Sequence, residues 1–166
     1  MSIIYLREPT AQDLELLMAW RSNPFVYETD VEGTKQPMQW RELLEWVASF
    51  YDRERGFSWF QMAVFVDPQG PEYFWRGRTV GYIFVKDWDS DLPEIGGAMG
   101  EVSLWKSGIA GVALEEAFKI WKSRGLKKIK AVTLDGNGRI AGFLPKHGFG
   151  EISSDGKIRT YVKELV

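Results

Sequence analysis

The sequence predicts a mixed α/β fold, one layer of sheet flanked by helices in a single domain, and three observations carry that reading. Segments with strand period and helix period follow one another in the order β-α-α-β-β-β-α-β-α-β. The length, 166 residues, lies within the roughly 100–200 residues typical of one domain. Apolar residues make up 45% and charged residues 27%, a balance that builds a core and excludes a disordered chain.

Each element has its own signal. Ile3 to Arg7 reads as a strand ended by Pro9. Thr10 stands three residues before Asp13, a weakened capping box ahead of a helix whose Leu14, Leu17, Met18 and Arg21 share one face. Asn23-Pro24 closes that helix, and residues 24–36 read as a polar, acidic loop. A second helix starts near Pro37, with Trp40, Leu43, Leu44, Val47 and Tyr51 at helical spacing. Residues 57–66 and 79–86 are aromatic and β-branched and should pair, with a turn at Asp67-Pro68-Gln69-Gly70 and an elongated tip over 71–78. An acidic loop then leads to a strand over Glu94 to Leu104. Gly108 to Arg124 is helical, with Glu115–Lys119 as an exposed pair and Gly125 as its C-cap. A strand over Lys128 to Leu134, a short helix over Asn137 to Lys146 and a strand over Tyr161 to Leu165 complete the order, with one more strand near 150–153.

Composition narrows the chemistry. The chain has no cysteine, which excludes disulfides, thiolate metal sites and a cysteine nucleophile. With one histidine, His147, neither a multi-histidine metal site nor a Ser-His-Asp triad is expected. The charge, −2 from 21 basic and 23 acidic residues, exerts no pull toward nucleic acid. The first residues lack a signal-peptide pattern and no apolar run is long enough to span a bilayer, so the expectation is a cytoplasmic protein with no membrane partner.

The most informative segment is Ser103 to Ala113, which joins a predicted strand to the start of a long helix. Gly108, Ala110 and Gly111 allow close approach of a ligand to the backbone, and unpaired N–H groups at a helix start attract an anion. Lys106 adds a positive charge. Phosphate binding is one reading, and a tight turn that needs glycine for steric reasons is the other. The segment is neither a P-loop nor Gly-x-Gly-x-x-Gly.

Together, residues 94–149 resemble the GNAT superfamily of acetyl-CoA-dependent N-acetyltransferases. Members carry Gln/Arg-x-x-Gly-x-Gly/Ala between strand and helix. Here Trp105-Lys106-Ser107-Gly108-Ile109-Ala110 keeps the Gly and Ala but has Trp in the leading place. Asn137 stands at the family's spacing before Gly148-Phe149, and residues 5–24 resemble the branch of ribosomal-protein N-terminal and amino-sugar acetyltransferases. The resemblance implies acetyl-CoA as co-substrate, no metal, and a diphosphate held by the backbone of Lys106, Ser107, Gly108, Ile109, Ala110 and Gly111. It also implies a pantetheine arm beside the strand that ends at Leu104, with Asn137 touching that arm or the thiol.

Acetyl transfer to an amine needs a base, and Glu94, on the strand beside the cofactor, is the first candidate; Glu101 is a weaker one. The tyrosine that many members place seven residues after the Asn is Leu144 here, which leaves the proton donor to the thiolate open. His147 reads as a partner for the helix C-terminus rather than a substitute. Glu28, Asp30 and Trp88, in two acidic loops near Tyr27 and Trp40, are candidates for binding a cationic amine. Exposed aromatics at 73–76 are a candidate partner contact. The expected acceptor is a small-molecule or peptide amine: a small cationic amine, an amino sugar or a protein N-terminus. The expected state is monomer or homodimer. A CoA-binding sensor of the same fold is the alternative, motivated by Leu144 and the absent loop Gln/Arg.

Overall fold

The computed structural model describes residues 3–27, 38–52, 54 and 56–166, with the backbone alone for Tyr27, Tyr73 and Phe74. The strands are β1 (Ile3–Arg7), β2 (Trp59–Val66), β3 (Arg78–Lys86), β4 (Glu94–Met99), β5 (Lys128–Leu134), β6 (Gly150–Ser154) and β7 (Ile158–Glu164). The helices are α1 (Asp13–Arg21), α2 (Pro24–Tyr27), α3 (Trp40–Ser49), α4 (Glu72–Trp75), α5 (Ile109–Ser123) and α6 (Gly138–Lys146). The strands form one open sheet in the order β1-β2-β3-β4-β5-β7-β6.

Neighbouring strands are antiparallel except β4 and β5, which run parallel and pair only at Glu94↔Lys130 and Ile95↔Ala131. Beyond those pairs β4 continues to Met99 and β5 to Leu134 without bonding to each other. The sheet therefore splits like a wedge. Unpaired strand edges inside a sheet leave amide donors and acceptors for another extended chain.

Strand β2 is buried along nearly its whole length, because helices cover both faces of the sheet. Phe60 and Met62 join Leu17, Trp20, Leu43, Phe50 and Tyr82 beneath α1 and α3. Trp59 joins Leu114, Phe118, Trp121 and Ile129 beneath α5.

Asp13 anchors the start of α1. Its carboxylate accepts from Arg7 at 2.7 and 2.8 Å and from the Thr10 N–H at 2.7 Å, which gives the Thr10–Asp13 pairing its chemistry. Burial pushes the Asp13 carboxyl up, but the Arg7 and Thr10 hydrogen bonds outweigh it and hold the group below the ordinary carboxylate range.

Four sequence expectations shift. The strand expected over 94–104 stops at Met99, and Val102–Leu104 is a 3-10 turn. The Glu101 N–H bonds to Val80 O and its carboxylate pairs with Arg78 at 2.7 Å, which draws the chain away from the wedge. The tip over 71–78 contains the single turn α4, where the Trp75 indole donates to Gly70 O at 2.7 Å. Pro24–Tyr27, read as loop, forms the single turn α2. Lys119 pairs with Glu116 at 2.5 Å, because Glu115 is taken by His147.

Candidate functional site

The split between β4 and β5 opens into a cleft of about 1420 Å³ that runs from α5 and α6 across the sheet to Arg21, Phe25 and Trp46. Single-ligand pockets commonly measure about 300–1,000 Å³, so this space is large for one small ligand.

Helix α5 points its N-terminus at the cleft. Gly108 is its N-cap with φ +87°, and Lys106 has φ +65°. A Cβ on Gly108 would meet no atom within 4 Å, so the protein's packing does not demand the glycine. The left-handed backbone demands it, and the space beside it is open. Val112 is the first N–H to bond back along the helix, to Gly108 O at 3.3 Å, which leaves the N–H groups of Ala110 and Gly111 directed out of the helix start.

Gly111 has a different reason. A Cβ there would lie 2.8 Å from the imidazole of His147, which caps α6, packs 4.5 Å from the Phe143 ring and places Nδ1 2.9 Å from Glu115 Oε1. His147 thus ties α6 to α5, alongside its place at the helix end.

Of the sequence candidates, Glu94, Leu104, Lys106, Gly108, Ala110, Gly111 and Asn137 line the cleft together. Ser107 and Ile109 shape it from behind: the Ser107 hydroxyl donates to Leu104 O at 2.5 Å, and Ile109 packs on the core around Phe65 and Val80. Asn137 is buried and accepts the Ile140 N–H at 3.4 Å as the N-cap of α6. Glu94 sits where the wedge closes, 3.3 Å from Lys130 Nζ across the parallel pair. Glu101 lies outside, paired with Arg78 and accepting from Ser103 at 2.9 Å. Leu144 is buried against the core beneath α5 and also lines the cleft.

The substrate candidates fare differently. Trp88 stands outside the cleft: its indole packs edge-on at 5.4 Å against Phe57 and onto the core beneath α5, in a small depression shared with Asp89, Asp91 and Lys127. The burial of that ring carries the acidic loop away from the wedge. Glu28 and Asp30 lie outside the described residues. Trp40 is half exposed and does not line the cleft.

Three residues at the cleft carried no site signal in the sequence. Arg21 lays its guanidinium 4.5 Å over Trp46 and donates from Nη1 to the Tyr82 hydroxyl at 3.1 Å. Lys86 stands 5.3 Å from the Phe84 ring. Arg139 stacks 3.8 Å over Trp105.

The family model for the acetyltransferase (GNAT) domain matches residues 4–150. The chain belongs to the GNAT acetyltransferase family. An uncharacterized protein of Methanocaldococcus jannaschii is 34% identical over 148 residues, which make up 89% of this chain and 28% of that protein. The chain thus spans little more than a quarter of the length of that curated relative. A crystal structure of a domain from Methanocaldococcus jannaschii superposes with a TM-score of 0.83 at 30% identity, covering 99% of both chains. Spermidine N-acetyltransferase from Vibrio cholerae, solved with CoA and spermine, superposes with a TM-score of 0.74 at 13% identity over 98% of this chain and 95% of that one, a likeness of fold.

Acetyl-CoA as co-substrate fits this GNAT cleft. A helix start with outward N–H groups and open space at Gly108 suits a diphosphate, and the unpaired edges of β4 and β5 suit an amide-bearing arm. No helix among the described residues is long and apolar enough to cross a membrane.

Proposed function

We propose that the chain transfers an acetyl group from acetyl-CoA to a primary amine by direct attack, with both ligands bound at once. The observation that carries this reading is the wedge between β4 and β5, which leads from the α5 N-terminus past Glu94 to a second, aromatic end of the same cleft. Acetyl-CoA supplies the activated acetyl thioester when bound. The N–H groups of Ala110 and Gly111 hold the diphosphate, with Lys106 and Gly108 shaping that turn and Ser107 and Ile109 bracing it. Leu104 and Asn137 border the arm. Glu94, at the closed end of the wedge, takes the proton from the attacking amine, directly or through one water.

The second end determines the acceptor. Among the described residues its walls present Tyr82, Phe84 and Trp46 with two cations, Arg21 and Lys86. Rings of this kind stack on sugar and peptide faces and attract a cationic amine. The acceptor is accordingly a primary amine that these rings can hold: a small cationic amine, an amino sugar or a peptide N-terminus.

Release of CoA thiol is to be followed with a panel of amino sugars, short peptides and polyamines. Turnover on any of these amines supports the assignment and ranks the three acceptor classes, and none on the whole panel overturns it. One observation favours a non-catalytic CoA-binding module instead: Leu144, with no hydroxyl to donate a proton, lines the cleft at the place where many members of the family carry a tyrosine. Calorimetric binding of CoA with no turnover on any amine in the panel would establish that module.

A further inference from the structure

The loop's departure from the family pattern, Trp105 in place of Gln or Arg, has a counterpart on the other wall of the cleft. Arg139, in the first turn of α6, places its guanidinium 3.8 Å from the Trp105 ring centroid. Trp105 is itself fixed: its indole N–H donates to Met99 O at 2.7 Å, and Phe25 meets it edge-on at 6.5 Å. The Arg139 backbone is fixed as well, by the Asn137 cap on Ile140.

Arg139 makes no ion pair among the described residues, and the neighbouring acid, Asp135, is bound to Arg159. The stacked guanidinium lines the cleft together with Lys106 and Gly108. An arginine that lies flat on an indole keeps its in-plane N–H donors free, in the fork that matches a phosphate.

We propose that Arg139 is a ligand of the CoA diphosphate, supplying from α6 the side-chain hydrogen bonding that Trp105 removed from the loop, with Trp105 as its positioning residue. The inference rests on the N-acetyltransferase reading above. The diphosphate is preferred to the 3′-phosphate because the stack holds the guanidinium on the loop that enters the α5 N-terminus, where the backbone donors converge.

The test is calorimetric titration of CoA and of 3′-dephospho-CoA into the wild type, Arg139→Gln, Arg139→Lys, Trp105→Leu and the double variant Arg139→Gln/Trp105→Arg, with a melting curve for each. Loss of a charged hydrogen bond to phosphate should weaken Arg139→Gln about tenfold to a hundredfold for both coenzymes alike. Arg139→Lys should recover part of that loss, and Trp105→Leu should cost about twofold to fivefold through the lost stack. The double variant should bind within about threefold of wild type, because the cation returns to the loop.

Unchanged affinity in Arg139→Gln overturns the proposal. So does a loss confined to CoA, which would assign Arg139 to the 3′-phosphate. A loss that follows a lowered melting temperature, with no recovery in Arg139→Lys, would make the stack merely structural. Failure of the wild type to bind either coenzyme would overturn the N-acetyltransferase reading itself.

Discussion

The two ends of the cleft are built by different means. At the α5 end, the site is mostly backbone: a left-handed Gly108, outward N–H groups of Ala110 and Gly111, and strand edges left unpaired by the wedge. At the α1–α3 end, it is side chains from separate elements: Arg21 from α1, Trp46 from α3, and Tyr82, Phe84 and Lys86 from β3. On the function proposed above, the backbone end would meet what every turnover has in common, a diphosphate and an amide arm. Side-chain sites can be exchanged residue by residue, which is how one fold accepts many amines.

That contrast can be broken at several points. Glu94→Gln should lower turnover by about a hundredfold or more while leaving CoA affinity within about twofold, because it removes the base and touches neither end. An unchanged rate across pH would remove Glu94 from the mechanism. Gly108→Glu should weaken CoA about a hundredfold, since it strains a φ of +87° and puts a carboxylate where a diphosphate is expected. Retained micromolar affinity in calorimetry would contradict the backbone site.

Tyr82→Phe sharpens the comparison from the other end. It removes the hydroxyl that Arg21 holds at 3.1 Å, so the acceptor KM should rise about tenfold with CoA affinity unchanged. A parallel loss of CoA affinity would show that the two ends are not independent.

The smallest effect expected is on stability. The folded-state pKa of Asp13 lies below its ordinary value, so its contribution is present above the unfolded pKa of about 3.9 and is lost as pH falls through the folded value. The melting temperature should hold between pH 5 and 8 (on the order of a degree or two) and then fall below about pH 4. Asp13→Asn should flatten that acid limb; an unaltered limb in the variant would assign it to other carboxylates.

What could be read in advance follows the same division. The turn from Lys106 to Gly111 was legible as a turn into a helix because its residues are contiguous and its geometry is set by φ angles and N–H groups, properties that local sequence specifies. Asn137 was legible as a motif, although its capping of Ile140 emerged only in the fold. The β2–β3 pairing followed from two runs of strand-forming residues. Trp88 misled because an aromatic among acids resembles a binding loop, whereas its ring serves to cover the core beside Phe57. Arg21 gave no signal at all. On a helix face it looks like one more charged residue, and its role depends on Trp46 and Tyr82 arriving from elsewhere.

By itself, then, the sequence determined the order of the strands and of the longer helices, the turn that starts α5 and the family to which they belong, because short-range periodicity and backbone preference suffice for these. Tertiary structure alone decided where β4 and β5 part, that His147 packs over Gly111, that Trp88 faces away from the cleft and that Arg139 lies on Trp105. Each of those depends on the register and packing of segments distant in the chain, and a side chain's partners are set by what the fold brings beside it.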